Sequence, residues 1–175
     1  MALLEKTIEL AETSLTGEEV LADYRLALAS RQASLIGRRE VLSGKAKFGI
    51  FGDGKEVAQI ALAKAMQPGD VRSGYYRDQT LMFALDLHTI QEFFAQLYAH
   101  ADPEFEPMTG GRAMNAHFVT RFLDGKGQWQ DLTEIVHSTA DISPTGSQMP
   151  RLVGLAYASK LYRELPGLAS LSSFS

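Results

Sequence analysis

The 175-residue chain contains no cysteine, which excludes a disulfide framework and a thiolate zinc site. It has no surplus of basic residues either. Its 17 Lys and Arg are outnumbered by 21 Asp and Glu, and the resulting formal charge of -4 speaks against a nucleic-acid partner. No apolar run approaches the ~20 residues that a membrane-spanning helix needs. The stretch Met1 to Ser14 carries three Glu and one Lys, so it lacks the basic start of a signal peptide and the Arg-rich face of a transit peptide. Asparagine is almost absent, Asn115 being its one instance. A soluble protein of the bacterial cytoplasm is the expectation these absences leave.

Hydrophobic residues at 45% and charged residues at 22% are ordinary globular proportions, and the length suits one domain with a real core. Thr16-Gly17-Glu18-Glu19 has the form of a capping box. The helix it opens should run to Ser43-Gly44, with Leu21, Tyr24, Leu28, Leu35 and Leu42 as its buried stripe. The glycine-rich run Phe48 to Lys55 imitates a Walker A loop, but Glu56 stands where a Ser or Thr would have to hold magnesium. Gly52-Asp53-Gly54 imitates the start of a thiamin diphosphate metal motif, yet the chain has no paired asparagines. Turn chemistry ahead of a helix is the better reading. That helix, Glu56 to Met66, is dense in alanine and is expected to pack closely against another backbone. Gln79 to Leu87 and Thr89 to Tyr98 should be amphipathic helices, with Phe83, Phe93, Phe94 and Leu97 in the core.

Ala101 to Gly127 reads as a long irregular region of the kind that is often functional. Within it lie Arg112 and His117, which fit either a site lining or a plain salt bridge and loop hydrogen bond. Ile135 to Ile142 is strand-like, Ser143 to Gln148 is a polar turn, and Met149 to Leu165 is a final helix with Pro150 in its first turn. Helices alternating with short apolar pieces point to an α/β layering with an incomplete sheet.

The most informative stretch is Ser73-Gly74-Tyr75-Tyr76-Arg77-Asp78, between a strand-like Asp70-Val71 and a helical run. A guanidinium fork beside a phenol at the start of a helix suits a phosphate. The alternative is a surface turn in which Arg77 pairs with Asp78 or Asp70.

In order, Tyr75-Tyr76-Arg77-Asp78, Gly111-Arg112-Ala113-Met114-Asn115-Ala116-His117 and Ile142-Ser143-Pro144-Thr145-Gly146-Ser147-Gln148-Met149-Pro150 resemble the N-terminal half of the E1 α component of 2-oxo acid dehydrogenase complexes. Gly54-Lys55-Glu56 before them and Gly154-Leu155-Ala156-Tyr157-Ala158-Ser159-Lys160 after them extend the likeness from about Tyr24 to Leu165. It is strongest toward the branched-chain (2-oxoisovalerate) type, in particular a bacterial form with fused α and β regions.

The resemblance implies an α/β, helix-rich N-terminal part of a thiamin diphosphate-binding fold with an incomplete parallel sheet. It divides the chain into an extension (1–15), the partial domain (16–165) and a tail (166–175). It implies thiamin diphosphate and Mg2+ as cofactors, with Tyr76 and Arg77 on the diphosphate and the Ser143 carbonyl on the aminopyrimidine. Thr145 falls under the bent cofactor, where the family usually has a bulky aliphatic residue. Ser147 and Gln148 become candidate potassium ligands. The expected activity is decarboxylation of a 2-oxo acid with transfer of the acyl group to the lipoyl domain of an E2 partner. An E1 β region or subunit would complete the site, in an oligomer. The magnesium ligands and the activating Glu of the β region are expected after Ser175, so the chain reads as a truncated piece, inactive alone and exposing apolar surface on helices 56–66 and 149–165. Two rival readings are a pyruvate or acetoin dehydrogenase E1 and a non-catalytic helical interaction module.

Overall fold

The computed structural model describes residues 15–167. The expected extension and tail therefore lie, apart from Leu15, Pro166 and Gly167, outside the described residues. The first helix, α1 (Gly17–Leu42), begins where the sequence places it. The Thr16 hydroxyl accepts from the Glu19 N–H at 3.2 Å, and the Glu19 carboxylate accepts from the Thr16 N–H at 2.7 Å. The same reciprocal cap, from Thr89 and Glu92, starts α4 (Ile90–Leu97). Each cap satisfies N–H groups that a helix start leaves without intrahelical partners.

The buried face of α1 is not the expected one. Its inward residues are Ser30, Ala33, Ser34 and Gly37, while Leu21, Tyr24, Leu28, Leu35 and Leu42 all lie in the exposed class, Leu42 at 82%. The reason is the neighbour. The helix α3 (Gln79–Ala84) places Gln79 and Thr80, both fully buried, against α1. The Gln79 amide donates to the Ser30 carbonyl at 3.1 Å and the Ser34 hydroxyl at 2.9 Å, and the Ser30 and Thr80 hydroxyls lie 2.7 Å apart. Buried amides and hydroxyls need such partners, so the polar seam decides which side of α1 turns inward.

The second helix, α2 (Glu56–Ala65), buries Glu56, Gln59 and Ile60 rather than its alanines, and it leaves Val57 79% exposed. Arg31 of α1 grips the Glu56 carboxylate through two hydrogen bonds of 2.6 and 2.9 Å. That grip, followed by burial acting the other way and by the Gly54 N–H, holds the Glu56 carboxyl down at about 2. The Gly54 N–H donates to the same carboxylate, and Arg38 pairs with Asp53 at 2.7 Å. The glycine-rich run is therefore turn chemistry leading into α2, as expected.

Phenylalanines fill the core. Phe93, wholly buried, packs against Phe51 and edge-on against Phe83, with ring centroids 6.2 and 5.9 Å away. Leu97 and Phe118 join the same cluster, and Phe94 borders it half-buried, in line with the sequence reading. Both α3 and α4 are shorter than expected.

Each strand is two residues long, the first shifted by one residue from the expected Asp70-Val71. β1 (Val71–Arg72) pairs in parallel with β2 (His137–Ser138), in the register Val71 to His137 and Arg72 to Ser138. The fold is thus a helix-rich α/β arrangement around a small parallel sheet. The last helix, α5 (Gln148–Glu164), has no buried residue. It stands over a cleft of about 270 Å³ lined by Val71, Leu152, Leu155 and Ala156. Met149 and Val153 are 67% and 70% exposed, so the apolar exposure expected of this helix and of α2 is present. Among the described residues no helix is long and apolar enough to cross a membrane.

Arg72, unremarkable in the sequence pattern, has a side chain only 4% exposed. Its guanidinium donates to Asp78 at 2.8 Å, to both Asp141 carboxylate oxygens at 3.1 Å, to the Ser138 hydroxyl at 2.7 Å and to the Tyr75 carbonyl at 3.1 Å. It also lies over the Phe118 ring, 5.6 Å from the centroid. Burial pushes the Asp141 carboxyl up, and the Arg72 charge works against that push. A Cβ on Gly74 would fall 1.8 Å from the Arg72 guanidinium carbon, so glycine alone lets the side chain pass.

Two stability measurements check these assignments. Replacing Arg72 with Ala leaves Asp141, whose side chain is fully buried, without its cation and should cost about 3–5 kcal/mol in denaturant unfolding. Arg72→Lys should recover only part, since an ammonium cannot span both carboxylates. The second concerns His88, 3% exposed, edge-on to Phe118 and stacked with Phe83. Burial pushes its imidazole down to about 4 against the opposing pull of Glu92 and Glu106. The folded state holds the ring neutral, so its contribution is complete above the unfolded value near 6.5 and is lost as pH falls from there toward 4. Stability measured across that window should drop by up to about 1.4 kcal/mol per pH unit on this account, and His88→Phe should remove that slope.

Candidate functional site

Parallel strands deliver the chain to one edge of the sheet, and the segments leaving their carboxyl ends form a crevice there. After β1 comes the turn Ser73 to Asp78, and after β2 comes Thr139 to Ser147. They are tied together by the Ser73 hydroxyl on the Gln148 carbonyl at 3.0 Å and by Arg72 on Asp78 and Asp141.

The first turn is held from below. Gln59 of α2 donates to the Arg77 carbonyl at 2.9 Å, and the Gly52 N–H donates to the Gln79 side chain at 3.1 Å. A Cβ on Gly52 would meet the Arg77 carbonyl oxygen at 2.3 Å, so that backbone rests directly on a glycine. Within the turn, the Asp78 carboxylate accepts from the Tyr75 N–H at 3.0 Å. With Asp78 also occupied by Arg72, and Asp70 accepting from the Gln67 N–H, neither acid expected to neutralise Arg77 does so. Among the described residues the Arg77 guanidinium has no ion-pair or hydrogen-bond partner, and its Nε is buried without one. A buried donor on a cation is costly when unpaired. This one is available for an anion.

The contribution expected from the helix start is smaller than the sequence suggested. α3 has six residues, and its Leu81 N–H already donates to the Gln59 side chain at 3.0 Å.

The Tyr76 hydroxyl lies 3.1 Å from the Thr145 hydroxyl. Tyr76 also stacks with His117, with centroids 6.0 Å apart and planes at 18°. His117 Nε2 is 2.9 Å from the Ser143 hydroxyl. The structure thus gathers Tyr76, Ser143 and Thr145, with Arg77 next to Tyr76 on the same turn. Ser147 turns its hydroxyl onto the Pro144 carbonyl, and the Gln148 carbonyl accepts from Ser73. Among the described residues no three His, Asp or Glu side chains converge on a metal position.

The long irregular segment reaches this place through buried acceptors. Glu106, 0% exposed, accepts from the N–H groups of Met108, Thr109 and Gly111 and from the Thr109 hydroxyl, at 2.6 to 3.1 Å. Burial pushes this carboxyl up, but those hydrogen bonds outweigh it and hold it below the usual range. Gly111, at φ 75°, would place a Cβ 2.6 Å from the Ala99 carbonyl oxygen. Asn115 exchanges hydrogen bonds of 3.2 Å with both backbone groups of Ile50. The single asparagine therefore splices the segment to the glycine-rich run. His117 joins the site, whereas Arg112 is exposed and makes no side-chain ion pair among the described residues.

Sequence reasoning passed over Arg72 and Asp141, which hold the two turns together. The available signal was an Arg inside an apolar strand-like piece followed at once by Ser73-Gly74.

Comparisons with known proteins identify relatives of the chain. The family model of the dehydrogenase E1 component matches residues 24–171. The chain is 30% identical over 155 residues to the 2-oxoisovalerate dehydrogenase subunit alpha of Bacillus subtilis (strain 168), covering 86% of the chain and 41% of that protein. It spans less than half the length of that relative, and its helix-rich architecture with a small parallel sheet is the N-terminal part of an E1 α fold. The chain belongs to the dehydrogenase E1 component family.

Proposed function

We propose that the crevice is the diphosphate end of a thiamin diphosphate site, in an E1 enzyme that decarboxylates a branched-chain 2-oxo acid and passes the acyl group to the lipoyl domain of E2. The observation that carries this reading is the buried, unpartnered Nε of Arg77, one residue after Tyr76 on the same turn. A guanidinium fork and a phenol are what a diphosphate group demands, and both stand on a backbone that Gly52 and Gln59 hold in place.

Under this reading Tyr76 and Arg77 hold the diphosphate, the Ser143 carbonyl meets the aminopyrimidine, and Thr145 supports the ring. When bound, thiamin diphosphate supplies the electron sink that decarboxylation of a 2-oxo acid requires. The chain's own share is to bind and orient that group and to join the two turns through the Tyr76–Thr145 contact. Mg2+ is assigned no ligand in this chain. Ser147 and Gln148 remain proposed potassium ligands of the turn that follows Thr145.

An E1 β region or subunit and E2 are the proposed partners, and the cytoplasm the proposed location. The branched-chain preference rests on the identity to the Bacillus subtilis protein. A pyruvate or acetoin E1 is the alternative.

Two variants of the complete E1 assembly test the site. Arg77→Ala should weaken thiamin diphosphate binding by about 1.5–3 kcal/mol in calorimetry, with Arg77→Lys intermediate; unchanged affinity would remove Arg77 from the site. Thr145→Val should keep most of the turnover, whereas Thr145→Gly should lower kcat more than it weakens binding. Small and equal effects of the two changes would place Thr145 elsewhere.

A further inference from the structure

His117 is placed with unusual care for a loop residue. Ala116 before it is fully buried and sits at φ 58°, a left-handed conformation that is strained for a non-glycine residue. That twist lets Asn115 and His117, on either side, point to different partners. Asn115 is fixed on Ile50, and Gln96 of α4 donates to the His117 carbonyl at 2.9 Å. The backbone is therefore held on both sides of the ring.

The ring's own hydrogen bonds determine its tautomer. Nδ1 lies 3.2 Å from the Asn115 carbonyl. A carbonyl oxygen can only accept, so Nδ1 carries the proton, and in the neutral ring Nε2 is left as an acceptor. The Ser143 hydroxyl, 2.9 Å from Nε2, is then the donor. One face of the ring lies along Tyr76, whose hydroxyl meets Thr145. The single imidazole thus touches the turn after β1 through stacking and the turn after β2 through a hydrogen bond.

We infer that His117 is a positioning residue of this site: its Nδ1-protonated ring accepts the Ser143 hydroxyl at Nε2 and so sets the attitude of the turn that carries the Ser143 carbonyl and Thr145. This deepens the cofactor reading given above and rests on it. No proton leaves the Ser143 oxygen. The ring acts by giving the hydroxyl one acceptor in one direction, and Tyr76 bears on its flat side. Arg112, five residues earlier, takes no part.

The test uses the complete E1 assembly, with thiamin diphosphate and Mg2+ as the titrated probe. His117→Ala should raise the Kd about tenfold, the scale of one lost hydrogen bond to a positioned group. His117→Gln offers a side-chain carbonyl at a similar reach to Nε2 and should stay within about threefold of the unmodified protein. Ser143→Ala should match His117→Ala, and the double variant should be no weaker than either single one, because both changes break the same bond. Nitrogen-15 spectra of histidine-labelled protein should show His117 protonated at Nδ1 and bare at Nε2, with the Nε2 signal moving in Ser143→Ala.

Any of three results would overturn the inference: no loss in His117→Ala, an equal loss in His117→Gln, or losses that multiply in the double variant. A ring protonated at Nε2 and bare at Nδ1 would overturn it without reference to binding. Should His117→Ala fail to fold, the exposed Ser143→Ala and the spectra still decide. Arg77→Ala separates the two levels. If it leaves binding intact, the cofactor reading falls; if it weakens binding while His117→Ala does not, only the role of His117 falls.

Discussion

The Arg72 guanidinium, buried between Asp78 and Asp141, is the contact on which the site depends. With two residues per strand, the ladder alone is too short to fix the segments that leave it. Arg72 makes up for that by bonding to a carboxylate in each of those segments and to the Ser138 hydroxyl on the partner strand. A buried cation gains little net stability over a well-packed apolar group, because its desolvation offsets most of the attraction. What it supplies is direction. The guanidinium plane has one way to meet two carboxylates and a carbonyl, and that sets how the Tyr76–Arg77 turn faces the Ser143–Thr145 turn.

The same solution recurs along the chain. Glu106 gathers four donors inside its own loop, Glu56 joins α1 to the turn before α2, and Asn115 clasps Ile50. Long irregular segments carry backbone groups that no helix or ladder satisfies. Buried carboxylates and amides satisfy them here and also keep each loop in one shape. The apolar core of Phe51, Phe83, Phe93 and Phe118 provides the mass against which these loops close.

Features governed by local chemistry were legible in the sequence. The capping box at Thr16 and Glu19, the strand-to-helix turn at Tyr76 and Arg77, and the turn role of Gly52-Asp53-Gly54 all depend on residues a few positions apart. The orientation of α1 did not follow from local pattern. Its leucines form a regular stripe, but the buried side is chosen by Gln79 and Thr80, about fifty residues away. Arg72 escaped notice for a related reason: charge in a short strand reads as surface until Asp141, sixty-nine positions on, is known to lie beside it. The triads of order in the sequence pointed to Tyr76, Ser143 and Thr145, and the structure brings these together. It brings in His117 as well, one of the two residues the irregular segment offered, whose tautomer no sequence reveals.

The inward face of α1 has an evolutionary consequence. Because Ser30, Ala33, Ser34 and Gly37 form the contact, the helix approaches its neighbours at a separation set by small side chains, and a Cβ on Gly37 would already fall 2.4 Å from the Phe51 ring. Drift toward larger apolar residues, which raises the apparent quality of most amphipathic helices, would here wedge α1 away from α3. The permissive positions are the leucines and tyrosine that face outward. The record of tolerated change along this helix should therefore run opposite to its hydropathy, with the polar and tiny residues held fixed and the greasy ones free to vary except where another chain comes to cover them.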